Sequence, residues 1–247
     1  MTVALLLAGL VAGFIDAIAG GGGLITVPVF TLLLGPGPAA IGTNKIGGTL
    51  AAFVALLVYA RKGHFDWRKS VLFAVWVALG SWLGSTLNPY VPPAYFKWFL
   101  LATCPLILAV VWKKDFWVAS AEPPLAEAPT FWKLGIALSG FGCGIYDGIW
   151  GPGGGTFMFL SLFFAAKLPL LTAIAAAKLA NTGSALTSLT NYAFHGYVHW
   201  KEGFTLAAGI IVGGYFGASH NTQVAGKLVR PLLVVVVTLL LLKMMVG

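Results

Sequence analysis

The chain has 247 residues, 59% of them hydrophobic and only 9% charged, with a formal net charge of +8. Soluble domains carry roughly 25% charged residues, so this composition excludes an ordinary soluble enzyme and points to a chain whose solvent is the bilayer. The basic residues fall mostly in short segments between apolar runs, where the cytoplasmic bias of Lys and Arg accounts for them without a nucleic-acid partner.

The first apolar run, residues 3–19, carries Asp16 and stops at Gly20-Gly21-Gly22-Gly23. The second, residues 24–34, is too short to span unaided, contains Pro28 and ends at the strong breaker Gly35-Pro36-Gly37-Pro38. These two are either separate helices or a hairpin that enters the membrane and returns. Non-helical backbone at that depth survives only buried in protein or lining a cavity. The third run covers residues 40–59, and a basic loop follows at 61–69. The fourth, residues 70–87, carries Gly80-x-x-x-Gly84, small residues that let helices approach closely. The fifth is residues 95–112.

Residues 113–130 hold Pro123, Pro124, Pro129, Glu122 and Glu127 without an apolar period, and read as a linker. The order then recurs as residues 131–150, 156–166, 170–194, 203–219 and 227–246. Continuously apolar runs select helices over a β-barrel, whose strands alternate in polarity. Cys104 and Cys143 lie inside apolar runs and read as small packing residues, with neither a disulfide framework nor metal spacing. No basic segment precedes the first run, as a cleavable signal peptide would require.

The recurrence extends to single residues. At a near-constant spacing, Asp16 matches Asp147, and Gly21 to Gly23 match Gly153 to Gly155 once Pro152 is counted as an insertion. Lys45 then matches Lys178, Thr49 matches Thr182, Tyr59 matches Tyr192, Gly63 matches Gly196, and Gly80 matches Gly213. The chain therefore divides into two homologous halves, 1–112 and 131–247.

With the N-terminus outside, the cytoplasmic loops hold Arg61, Lys62, Arg68, Lys69, Lys113, Lys114, Lys133, Lys167, Lys227 and Arg230, and the outer segments only Lys97, Lys201 and Lys243. The loop at 61–69 is strongly basic, whereas its counterpart at 195–201 has Lys201 alone. Matching loops of opposite bias lie on opposite sides, so the halves are inverted. The expected fold is an all-α, polytopic membrane helical bundle of two inverted repeats. It has eight or ten helical elements, some of them short or re-entrant and broken by Gly and Pro. Inverted repeats with broken segments in matching positions point to a secondary transporter with its site between the repeats.

The candidate site follows from the breaks. Glycine runs let a ligand approach the backbone, and the helix that follows presents unpaired N–H groups and about half a positive charge. Gly20, Gly21, Gly22 and Gly23, with Gly153, Gly154 and Gly155, are therefore candidates for binding a small anion. Lys45 and Lys178 lie early in long apolar runs, at a depth where an unpaired lysine costs several kcal/mol. Each faces an anion, pairs with Asp16 or Asp147, or snorkels to the interface. Asp16 and Asp147 are candidates for salt bridges, proton coupling or capping of the broken turn. Thr26, Thr43, Asn44, Asn181 and Thr182 are candidate hydrogen-bond donors to an oxyanion. Tyr59 and Tyr192 fit an aromatic belt as well as a site. Enzyme readings find no support: neither glycine run is followed by G-K-[ST], G-x-S-x-G is absent, and no residues have metal-ligand or cofactor spacing.

A Gly-rich break before a Pro-containing short helix (Gly20–Gly23, Val27-Pro28), then Gly42-Thr43-Asn44-Lys45, then Tyr59 to Trp67 with Gly63, all in duplicate, resembles the sulfite exporter TauE/SafE family, also called the 4-toluene sulfonate uptake permeases. The resemblance covers essentially the whole chain. It implies a multi-pass transporter of the bacterial or archaeal inner membrane, carrying sulfur-containing anions such as sulfite or organosulfonates, more often outward than inward. The second half departs from the first, with Ala177 where Asn44 stands and a shifted Asn181. A passive anion channel and a permease for another small solute are the alternatives.

Overall fold

The computed structural model describes residues 1–19, 22–61, 66–112, 132–164, 166–219 and 238. Gly20, Gly21, Gly63, the linker at 113–130 and, apart from residue 238, the last apolar run at 227–246 lie outside the described residues.

The described residues form helices without a strand. These are α1 Thr2–Ala19, α2 Gly23–Leu34, α3 Pro38–Arg61, α4 Trp67–Leu87, a short 3-10 turn η1 Asn88–Tyr90, and α5 Pro93–Trp112. After the linker come α6 Trp132–Ile149, α7 Gly154–Phe164, α8 Leu170–Phe194 and α9 Trp200–Ser219. Helix starts move outward from their sequence expectation by a few residues because Pro tolerates the first helical turn: α3 begins on Pro38 and α5 on Pro93. The break between α6 and α7 needs its glycines. Gly151 and Gly153 take φ of +87° and +75°, a region that residues with a Cβ rarely adopt.

The interior is held by close backbone approach. α1 packs along α9, and α4 along α6. A Cβ on Gly9 or Gly13 would strike the carbonyl of Leu206 or Ile210, and one on Gly209 or Gly213 that of Leu6 or Leu10. The other pair repeats this: Gly80 and Gly84 lie on the carbonyls of Phe141 and Ile145, and Gly144 and Gly148 on those of Val77 and Ser81. In lipid, where apolar side chains gain little by leaving the solvent, such van der Waals contact is what joins helices. The contacts advance in the same direction along both members of each pair, so α1 runs parallel to α9 and α4 to α6. Each half thus sets its first helix against the fourth helix of the other. α3 and α8 meet at the centre, where Gly42 packs on Tyr192.

The outward faces are apolar. Leu7, Val75, Leu79, Trp82, Ile211 and Phe216 are exposed on α1, α4 and α9. Water would not tolerate so continuous a surface, whereas acyl chains do. Pro38–Arg61 and Trp67–Tyr90 have the length and hydropathy of membrane crossings. The chain is an all-α membrane protein.

Candidate substrate site

Asp16 sits in the last turn of α1 and turns back over the break. Its Oδ1 accepts the Gly22 N–H at 2.9 Å, so the carboxylate caps the chain where α2 begins. Its Oδ2 lies 3.8 Å from Nζ of Lys178 on α8. Asp147 holds the matching place at the end of α6. Its Oδ2 accepts from Lys45 Nζ on α3 at 2.7 Å and from Ser184 Oγ on α8 at 2.5 Å. Lys45 Nζ also donates to the Asp147 carbonyl at 2.7 Å. Both ion pairs cross between the halves, each lysine serving the aspartate of the other half.

The two pairs differ in burial. Lys45 and Asp147 side chains are 4% and 5% exposed, Lys178 and Asp16 side chains 21% and 25%. Of the readings open for Lys45, the geometry selects pairing over snorkelling. Asp16 caps and pairs at once.

The two glycine breaks touch. A Cβ built on Gly23 would lie 3.6 Å from Pro152 Cα and 3.9 Å from the Gly151 oxygen. Gly154 lies so close to Asp147 that a Cβ there would overlap the carboxylate. A Cβ on Gly155 would lie 3.4 Å from Asn181 Nδ2. Gly22, Gly23, Gly154, Gly155, Asp16, Asp147, Lys45 and Lys178 are therefore gathered at one locus between the halves, with Gly153 in the second break itself.

The hydroxyls are engaged by backbone. Thr26 donates to the Gly22 carbonyl at 3.3 Å and Thr182 to that of Lys178 at 2.8 Å, just as Thr49 donates to that of Lys45 at 2.7 Å. Thr43 Oγ1 accepts the His199 N–H at 3.0 Å, which leaves its own proton for a further partner. Asn44 is buried beside Gly151, and its Oδ1 has no hydrogen-bond partner. A buried carbonyl without a donor costs roughly 1–3 kcal/mol.

Ser184 and Trp150 escape the sequence reading, which leaves Tyr192 open between an aromatic belt and a site. Ser184 has no counterpart, because Ala51 stands at the equivalent position, and a search for repeated residues passes over it. Tyr192 is buried and its hydroxyl donates to the Gly148 carbonyl at 2.7 Å, which removes it from any interfacial belt. Trp150 stacks on Phe99 with ring centroids 3.7 Å apart and also meets Phe96, so α5 walls the second break with aromatic rings. Tyr146 fastens that wall by donating to the Pro152 carbonyl at 2.6 Å. Among the described residues no His, Cys, Asp and Glu group is placed to hold a metal ion.

Comparison with known proteins gives the site its context. The sequence pattern of the family described as "Sulfite exporter TauE/SafE" matches residues 5–244. A "probable membrane transporter protein" of Haemophilus influenzae is 36% identical over 236 residues, covering 96% of this chain and 91% of that protein. "Probable membrane transporter protein ORF9" of a Sinorhizobium species is 33% identical, with coverage of 94% and 87%. "Probable membrane transporter protein YfcA" of Escherichia coli K12 is 31% identical, with coverage of 92% and 83%. No solved structure matches the chain. On the match across nearly its whole length, the chain belongs to the sulfite exporter TauE/SafE family.

Proposed function

We propose that this chain is a multi-pass secondary transporter of the bacterial or archaeal cell membrane that exports small sulfur-containing anions, such as sulfite or an organosulfonate, by alternating access between two inverted repeats. The observation that carries the reading is the crossed pair of ion pairs at the glycine breaks, Lys45 with Asp147 and Lys178 with Asp16. Ionisable residues in a membrane interior are retained where they serve a pathway. Here each pair ties one half to the other, so their relative strength couples to how the halves sit.

Inversion is supported by helix direction. α1, α3 and α9 run one way: Gly47 on α3 contacts Leu206 and Ile210 on α9, while Gly203 contacts Ile46. α4, α6 and α8 run together, with Ser81 on Ser184 and Asn191 on Ser85. Lys45 near the start of α3 is level with the last turns of α4, and only residues 62–66 join α3 to α4, so the two sets are antiparallel. Equivalent helices of the two halves then point opposite ways. The family description and the relatives' names support transport. Positive charge and amide donors at the breaks support an anion.

Thermal stabilisation of the purified protein by sulfite, sulfate, thiosulfate and 4-toluenesulfonate tests the reading, because a ligand that binds the folded state raises its melting temperature by mass action. Selective stabilisation by a sulfur oxyanion is expected. No shift with any of the four, alongside a shift with a neutral or cationic solute, would contradict it.

A further inference from the structure

The two lysines are equivalent in sequence but not in what surrounds them. An ammonium has three donors and no acceptor, and in a low-dielectric interior each unmatched donor is costly. Lys45 has two of its three donors matched, by acceptors at 2.7 Å, and almost no exposure. For Lys178 none is matched among the described residues. Its nearest carboxylate oxygen is 3.8 Å away, beyond direct hydrogen-bond reach, and among the described residues no other acceptor serves it. A lysine facing lipid would be expensive, and the Lys178 side chain is 21% exposed.

Neighbouring residues differ in the same sense. Asn181 lies three positions after Lys178, on the same face of α8. Its amide nitrogen lies beside Gly155 at the start of α7, and among the described residues it has no hydrogen bond. In the first half the asparagine is Asn44, one position before Lys45 and so about 100° around the helix from it. Gly48 occupies the place equivalent to Asn181. Only the second half sets an amide beside its lysine. The carboxylates differ as well: Asp147 is held by Ser184, whereas Ala51 stands where Asp16 would need the same hydroxyl. Asp16 is instead anchored to its own helix break by the Gly22 N–H. The inequality of the half-sites is thus written into the sequence.

We infer that the transported anion seats at Lys178 and Asn181 beside Gly155, in competition with the Asp16 carboxylate, while the Lys45–Asp147 pair closes the equivalent place in the other half. The inference rests on the anion-transport reading above. Oxyanion oxygens accept from the Lys178 ammonium and the Asn181 amide, and Gly155, without a side chain, leaves room against the first turn of α7. An anion that takes Lys178 releases Asp16, and with it one of the two ties between the halves. Occupancy and the relative position of the halves are then linked.

Isothermal titration of the purified full-length protein with sulfite and with 4-toluenesulfonate tests this on wild type, Lys178→Gln and Asp16→Asn. Losing one charge-assisted hydrogen bond should weaken binding by at least about tenfold in Lys178→Gln. Asp16→Asn keeps the oxygen that caps Gly22 but removes the competing charge, so it should bind about three- to tenfold more tightly. A gain in affinity cannot come from misfolding. Lys178→Gln titrating like wild type, or Asp16→Asn binding no more tightly than wild type, would overturn the seat. If neither anion binds wild type or Asp16→Asn, the anion-transport reading falls and the seat with it.

Discussion

Lys45 and Asp147, 102 residues apart in the chain, meet at 2.7 Å in the protein interior, and each side chain is more than nine-tenths buried. The equivalent residues Lys178 and Asp16 meet across the halves in the opposite sense, at 3.8 Å and partly exposed. One interior contact is therefore made twice, once closed and once open.

The closed pair should tolerate loss of both partners better than loss of one. Removing one member of a buried pair strands a charge and costs about 3–5 kcal/mol, whereas replacing both with apolar groups is often neutral. Lys45→Met should lower the melting temperature of the detergent-solubilised protein strongly, and the further change Asp147→Leu should recover much of the loss. Equal melting of Lys45→Met and wild type would show that the pair contributes nothing.

Ser184 is predicted to decide which pair is tight. Ser184→Ala removes a hydrogen bond to a charged acceptor, worth about 2 kcal/mol. A double-mutant cycle between positions 45 and 147 should show a smaller coupling energy in that background. An unchanged coupling energy would remove Ser184 from the account.

Much of this site is legible in the sequence, for a physical reason. Asp16, Asp147, Lys45 and Lys178 interrupt apolar runs where charge is costly, and they recur at matching positions. Pairing, capping and proton coupling all fit the two aspartates as sequence, and the choice waits on which helices touch. The crossing of partners between halves follows from α1 packing on α9 and α4 on α6, long-range relations that no local pattern carries. Gly80-x-x-x-Gly84 announces a close contact, but not that Gly144 and Gly148 lie opposite. Ser184 lies where the repeat fails, opposite Ala51, so a reading built on matching residues passes over it, whereas Asn181 enters that reading as a shifted donor.

The glycines that lie on an aspartate, Gly22 on Asp16 and Gly154 on Asp147, should tolerate a methyl group less well than their neighbours in the same breaks. Gly154→Ala would drive a methyl group into the Asp147 carboxylate, whereas Gly23→Ala meets nothing closer than 3.6 Å. Gly154→Ala should lower thermal stability and anion transport together, and Gly23→Ala should leave the melting temperature near wild type. Equal tolerance of the two changes would contradict the placement of Asp147.

The helix seams make a sharper steric prediction. Gly144→Ala and Gly213→Ala would each set a Cβ against a backbone carbonyl of the partner helix, which has no rotamer by which to yield. Gly135 has open space at the same place, so Gly135→Ala gains helix propensity without a clash. Melting of the purified variants should fall for the first two and hold or rise for the third.

Counterflow in proteoliposomes tests the central proposal, an alternating-access carrier for a sulfur oxyanion, most directly. Purified wild-type protein is reconstituted with unlabelled sulfite inside, and entry of labelled sulfite is followed from outside. Alternating access predicts that internal sulfite accelerates entry and drives a transient accumulation of label above equilibrium. Entry indifferent to internal sulfite would describe a channel and contradict the carrier, and no protein-dependent entry of sulfite or 4-toluenesulfonate would contradict the substrate class as well.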